Sequence, residues 1–315
     1  MISPTDTLLI ERLSPENLAD LAALHQAVYQ RSPAPDYFPK KYDTAYTGAK
    51  YMGYLAYNEA LQPVAFYGVI PTLLWHEGKS LLAAQSADTM THPGYRGLGL
   101  FVRLANHTYT LCKLEGVRLV FGFPNQNSLP GFLNKLNWHC TEIMEHFEVP
   151  VKPMFSLEKI AGKFPSLQPA YRHYQQRVLK PYLRAVPGIA NSVVAEGFNG
   201  VFRDDQYLKY KAYSDTQVIQ VDRSLFWIKL KNGLHIGDIS NVETDFDTTL
   251  KKLQRLAGKL GVSVIRFQTS PGTNLHRLFA ARFEPLPTYH IIFKPIDDGI
   301  ATDRIKFTFA DIDVF

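Results

Sequence analysis

Two cysteines in 315 residues are too few for a disulfide framework. Cys112 and Cys140 also stand at no metal-ligand spacing with the histidines, and a reducing setting fits them. No apolar run approaches the roughly 18 residues needed to span a bilayer. The opening stretch, Met1-Ile-Ser-Pro-Thr-Asp-Thr7, lacks the basic region and apolar core of a signal peptide. A cytoplasmic protein is expected. The histidines at 92, 107, 139 and 146 form no H-x-x-x-H or H-E-x-x-H pair, so no metal is expected. There is no G-x-S-x-G elbow and no Walker A sequence, which leaves hydrolase and NTPase chemistry without a motif. Gly97-x-Gly99 lacks the third glycine and the downstream acid of a dinucleotide fold.

What is present is an ordinary globular composition, 46% hydrophobic and 20% charged. The length allows two domains of about 150 residues, each with its own core. The net charge of +5 is unevenly placed, because residues 152–184 carry seven basic side chains against the single acid Glu158. Tyr171, Tyr174 and Tyr182 are interleaved with them. Such a stretch suits an acidic partner or a nucleotide-linked substrate, and leaves peripheral contact with an anionic membrane face open. A solvated helix joining two lobes is the plainer reading. No nucleic-acid motif accompanies it, and no nucleic-acid partner is expected.

The most informative segment is Thr89-Met-Thr-His-Pro-Gly-Tyr-Arg-Gly-Leu-Gly-Leu-Phe101. An apolar run, Leu81 to Ala84, leads into it, and a helical pattern follows from Leu100 to Leu114. A glycine-rich turn between strand and helix presents free backbone N–H groups at a positive dipole end, which suits a pyrophosphate. Gly97 and Gly99 permit positive φ and close approach, and Arg96 adds a charge with several donors.

Arg96 and Gly99 resemble the first fixed positions of R/Q-x-x-G-x-G/A, motif A of the GNAT acetyltransferases; Phe101 departs from the usual Gly or Ala. The lead-in Thr91-x-Pro93-x-Tyr95-Arg96-Gly97 is similar to the family's V-x-P-x-Y-R-G. Downstream, Gly116 ends the helix, Arg118 to Phe123 reads as a buried strand, and Asn125, Asn127 and Ser128 precede a short helix. Lys135-Leu136-Asn137-Trp138 then resembles the family's K-L-G-F, with Leu133 at the position of its usual Tyr. The resemblance covers roughly residues 1–150 and is strongest from 81 to 139.

The chain also resembles itself. Lys113–Phe121 is similar to Lys259–Phe267, and Asn127, Phe132 and Trp138 have counterparts in Asn274, Phe279 and Phe283. Tyr37-Phe38-x-x-Lys41 is matched by Tyr207-Leu208-x-x-Lys211. The fold expected is α/β with mixed sheets: two GNAT-like lobes, each a twisted mixed sheet flanked by helices. The boundaries expected are a coenzyme-binding lobe over 1–150, a basic helical linker over 151–186 and a degenerate lobe over 187–315. The second lobe has no Arg-Gly-x-Gly turn, and the acidic helix start at Thr244–Asp247 would repel a pyrophosphate, so it is expected to shape an acceptor pocket instead. Alternation from Ile305 to Phe309 suggests a docked strand, which makes Asp311, Asp313 and the terminal carboxylate further candidate acceptor contacts.

The resemblance implies acetyl-CoA, or another acyl-CoA, as co-substrate and a small-molecule amine as acceptor, such as an amino sugar or its nucleotide. It implies that backbone groups of Thr89, Met90 and Thr91 bind pantetheine and polarise the thioester. Tyr95, Arg96, Gly97, Leu98, Gly99 and Leu100 would meet the pyrophosphate, and Asn125 or Asn127 the pantetheine arm. An alkyl ammonium must lose a proton before it can attack, so Asp88 is the candidate base or acceptor anchor, against a plain pairing with a lysine. Ser128 is the candidate donor to the departing thiolate, against an ordinary helix cap. Two other readings stay open: a non-catalytic module that binds an acyl-CoA or a lipid precursor, and an aminoacyl transferase of the peptidoglycan-bridge type. The intact Arg96–Gly99 turn counts against the last.

Overall fold

The computed structural model describes residues 8–153, 155–242 and 244–315; the Met1–Thr7 stretch read above for a signal peptide lies outside the described residues. The chain divides into two compact units. The first runs to Glu142 and takes in His290–Arg304; the second comprises Ile143–Tyr289 and Ile305–Phe315.

The first unit contains β1 (Leu9–Arg12), α1 (Leu18–Tyr29), α2 (Tyr37–Tyr42), β2 (Met52–Tyr57), β3 (Pro63–His76), β4 (Lys79–Thr91), α3 (Leu100–Leu114), β5 (Leu119–Gly122), α4 (Leu129–Lys135) and the start of β6 (His139–Pro150). Strands β1 to β4 are antiparallel neighbours, β5 lies parallel to β4, and residues 292–295 pair antiparallel with β5. The β3–β4 hairpin closes through Glu77 and Gly78, both at positive φ, as a two-residue turn between right-twisting strands requires. Helix α3 buries Leu100, Leu104, Ala105, Thr108, Tyr109, Leu111 and Cys112, the stripe that helical spacing puts on one face.

The second unit continues from β6 with α5 (Leu157–Lys163), α6 (Gln168–Leu179), β7 (Leu183–Arg184), α7 (Ser192–Ala195), β8 (Gly200–Val201), α8 (Asp205–Lys211), β9 (Gln217–Val221), β10 (Ser224–Leu230), β11 (Leu234–Ser240), α9 (Phe246–Lys259), β12 (Val264–Thr269), α10 (Asn274–Ala280) and the start of β13 (Leu286–Pro295), whose residues from His290 belong to the first unit. Its sheet repeats the first unit's pattern: β9, β10 and β11 are antiparallel, α9 follows, and β12 lies parallel to β11.

Three expectations change. The break falls at Glu142 rather than residue 150, because β6 pairs through residues 145–150 with β12 while residues 292–295 of β13 pair with β5. The stretch 151–186 is packed rather than a solvated linker, since the Tyr171 and Tyr174 hydroxyls donate to the Leu260 and Lys259 carbonyls at the end of α9. Residues 305–315 form no strand. They make isolated bridges and one 3-10 turn, Phe309–Asp311. Asp311 is buried and accepts from Arg203, itself fully buried, so it is not an exposed acceptor contact.

Candidate functional site

The site in the first unit begins where two parallel strands part. Strand β4 pairs with β5 only over Ala83–Leu119, Ala84–Val120 and Gln85–Phe121, then runs on for six residues to Thr91. Of those six, Ser86, Ala87, Met90 and Thr91 pair with β3 on one side, while β5 ends at Gly122. Among the described residues no strand lies beside the β5-facing edge of β4 past Gln85, which leaves a row of backbone donors and acceptors there, a template for an extended ligand. Thr89, Met90 and Thr91 lie on this edge.

Midway along it the strand bulges. Ala87 faces Gly68 and Met90 faces Phe66, so Asp88 and Thr89 together face Tyr67. Asp88 takes up φ +51°, an uncommon left-handed conformation for a residue with a side chain. Its Oδ2 accepts from the Tyr42 hydroxyl at 2.9 Å and lies 2.8 Å from the Lys41 ammonium. The pairing with a lysine weighed from the sequence is thus present, and no free carboxylate stands there.

Beyond β4, a 3-10 turn at Pro93–Tyr95 leads to Arg96, which is exposed, and to Gly97 and Gly99 at φ +82° and +74°. Gly99 is the N-cap of α3 and offers no side chain to its first N–H groups. A Cβ at Gly97 or Gly99 would meet nothing within 4 Å, so what these glycines supply is the backbone conformation, beside open space. Leu98 is partly exposed at the turn and Leu100 is buried beneath it. Tyr95 is tethered, its hydroxyl accepting from Asn58 Nδ2 at 3.0 Å. The Tyr29 hydroxyl is pushed up mainly by burial, then by Asp88, with Lys41 and Arg96 opposing. One phenol thus senses the carboxylate and the turn together.

Phe101 breaks the motif, and its surroundings compensate. The ring packs edge-on against Phe132 and tilts against Tyr67. A Cβ at Gly131 would lie 3.0 Å from it, so glycine on α4 makes the room that a small residue on α3 would otherwise leave. Asn125 Oδ1 accepts from the backbone N–H groups of Asn127 and Ser128, which makes it the cap of the turn into α4, while Asn127 is exposed. The Ser128 hydroxyl is directed at Asn125, 3.3 Å from both its carbonyl oxygen and Oδ1. Leu133 packs against the core and brings no hydroxyl.

Sequence reasoning missed a chain of hydroxyls at the point where the strands part. Ser86, the first β4 residue past the last β5 pair, donates to Tyr67 at 3.1 Å. Tyr67 and Tyr109 share a hydrogen bond of 2.9 Å, and Trp138 Nε1 donates to Tyr109 at 2.8 Å. Burial pushes both phenols well above their usual range, so they stay neutral donors. Tyr67 on β3 and Tyr109 on α3 meet by packing, joined by Ser86 of β4 and by Trp138 from the segment after α4; no spacing in the sequence announces it. Lys41 was missed too, because a lone lysine on an apolar helix face has no motif.

The family model of the acetyltransferase (GNAT) domain matches residues 10–141. Among solved structures, the chain is similar to GCN5-related N-acetyltransferases from Kribbella flavida (12% identity, TM-score 0.56, 92% of this chain and 72% of that one) and Anabaena variabilis (13%, 0.55, 92% and 73%). It is also similar to a probable N-acyltransferase from Enterococcus faecalis (13%, 0.58, 92% and 73%). At these identities the likeness shows the fold. No curated protein matches the sequence. Among the described residues, no helix is long and apolar enough to cross a membrane. Residues 10–141 thus match the acetyltransferase (GNAT) domain, and the fold of the chain is similar to that of GCN5-related N-acetyltransferases.

Proposed function

We propose that this chain, whose residues 10–141 match the acetyltransferase (GNAT) domain, transfers an acetyl group from acetyl-CoA to a small amine, an amino sugar or its nucleotide being the acceptor class favoured. The observation that carries the reading is the six-residue edge of β4 beyond Gln85, which runs into a glycine-capped helix. An extended chain bearing amides can add to that edge as a strand, with its phosphates at the N-terminus of α3.

In the reaction, the amine nitrogen forms a bond to the thioester carbonyl carbon while the carbon–sulfur bond breaks. The nitrogen gives up a proton and the sulfur takes one. Backbone N–H groups at Thr89–Thr91 meet the negative charge that builds on the carbonyl oxygen, and being fixed beforehand they need no reorganisation. Asp88 is the hydrogen-bond acceptor for the incoming amine. The Ser86 hydroxyl gives its proton to Tyr67, so Ser128 stays the candidate donor toward sulfur. The second unit, built in the same strand order, is a degenerate tandem lobe.

Calorimetric titration with acetyl-CoA tests the reading. Micromolar binding is expected, weakened by about 1.5–3 kcal/mol in Arg96→Ala, the range for a charged hydrogen bond. Absence of binding at millimolar ligand would remove the coenzyme assignment. One observation favours a second reading, a module that binds acyl-CoA without turnover: Leu133 supplies no hydroxyl and Ser128 is engaged with Asn125. Release of CoA above the blank with any amine would dismiss it.

A further inference from the structure

The pair formed by Lys41 and Asp88 is built with more care than a surface ion pair needs. Lys41 is 1% exposed, although it belongs to a residue type almost never buried without a partner. Phe38, Lys41 and Tyr42 form the buried stripe of α2. The ammonium lies 5.3 Å from the centre of the Tyr37 ring and 3.3 Å from the Tyr37 hydroxyl, so it has a seat as well as a counter-ion. Tyr42 is fully buried, and its hydroxyl reaches Asp88 across Gly68, where a Cβ would lie 2.9 Å from that oxygen. Glycine at 68 therefore clears the path for a bond to a residue 46 positions along the chain.

Both donors take the same carboxylate oxygen. Lys41 and Tyr42 converge on Oδ2, no described residue bonds Oδ1, and the Asp88 side chain keeps 16% exposure. This happens at the left-handed bulge, where Asp88 and Thr89 face one residue of β3 and nothing of β5. Tying the side chain from two directions holds a backbone conformation that a non-glycine residue otherwise leaves.

Resting on the acyl-transfer reading above, we infer that Lys41 is a positioning residue: with Tyr42 it fixes Asp88 through Oδ2, holds the bulge, and leaves Oδ1 to the acceptor amine. The ammonium also cancels the carboxylate's charge at 2.8 Å. The pair thus offers a directional acceptor without the pull of a lone anion on a permanent cation. That selects an amine that arrives as a hydrogen-bond donor.

The experiment measures steady-state kinetics with acetyl-CoA and three primary amines, glucosamine, tyramine and spermidine, alongside calorimetric acetyl-CoA affinity. Wild type is compared with Lys41→Met, Lys41→Arg and Tyr42→Phe. Lys41→Met is expected to lower kcat at least tenfold with amine KM unchanged or lower and coenzyme affinity within twofold. Lys41→Arg should recover part of kcat, and Tyr42→Phe should lose three- to tenfold. A role in folding alone would instead lower melting temperature and leave kcat of the folded fraction intact, which would overturn the inference. So would wild-type kcat in a folded Lys41→Met. If that variant does not fold, Tyr42→Phe decides, and unchanged kcat there overturns the inference. Wild type that neither binds acetyl-CoA nor turns over any amine would overturn the acyl-transfer reading itself, and the inference with it.

Discussion

Replacing Gly99 by alanine tests whether the turn before α3 binds anything. The residue sits at φ +74°, and an added Cβ would meet nothing within 4 Å. The cost is therefore conformational alone, about 1–2 kcal/mol for an L-residue held in the left-handed region. In the free protein the turn relaxes to avoid that strain, so a ligand that needs the original turn must restore it on binding. Acetyl-CoA affinity should fall roughly 5- to 30-fold, the equivalent of about 1–2 kcal/mol. Gly116→Ala is the matched control, since it has φ +77° and equally open space but lies at the far end of the same helix. Its strain should appear in melting temperature and leave affinity unchanged. Calorimetry on both variants, with thermal unfolding as the companion, separates the two. Equal affinity in wild type and Gly99→Ala would refute the argument, because a turn that binds phosphate cannot be indifferent to its backbone.

Arg203→Met should destabilise the second unit by about 3–5 kcal/mol in denaturant unfolding, because Asp238 and Asp311 would be left buried without their shared cation; a loss under 1 kcal/mol would mean the cluster is dispensable. Thiol titration should label one cysteine in the native protein and two after denaturation, since burial pushes the Cys112 thiol up to about 12 while Cys140 is exposed. Rapid native labelling of both would contradict the packing of α3. The His235 imidazole is held below its ordinary range by burial first and then by Arg266, so charging it costs more in the folded chain than in the unfolded one. Its contribution to stability is full above about pH 6.5 and falls away as pH drops toward the folded value. Melting curves from pH 7.5 to 5 should therefore be flatter for His235→Gln than for wild type.

The glycine turn before α3 was legible because its signals are local: glycines that allow positive φ, a strand before them and a helical stripe after. In the second unit β12 was legible for the same reason, through a helix end, a glycine at 261 and an apolar run, whereas β11, its parallel partner, was not. Which unit the strands β6 and β13 join was not. Both β6 and β13 have the alternation of ordinary strands, and nothing in it says which edge a strand will join. Asp88 was read as a base or anchor, but the lysine that holds it lies 47 residues earlier on a short helix, and only tertiary packing brings the two together. Phe101 looked like a defect in the motif until Gly131 supplied the space it takes.

The two parallel strand pairs part in the same way and end differently. In the second unit, β11 pairs with β12 up to Ile236–Phe267. Past that pair, Ser270 N–H donates to the Phe307 carbonyl at 2.9 Å, Phe307 N–H donates back to Ser270 Oγ at 3.0 Å, and Thr308 bridges Thr269. The Phe315 ring lies where a Cβ on Gly237 would stand, 2.2 Å from its nearest carbon. The chain's own residues therefore lie along the strand ends that the first unit leaves without a partner. At the helix that follows, Asp245 accepts from the Thr248 N–H and so fills part of the anion-binding end that Gly99 leaves open on α3. A ligand with a phosphate head and an extended amide arm would have to displace a buried segment and then face a carboxylate. The expected stoichiometry is one acetyl-CoA per chain. A second equivalent of comparable affinity would mean that residues 305–315 leave their place readily, against the burial of Phe307, Ala310 and Phe315 and the Arg203–Asp311 pair that hold them.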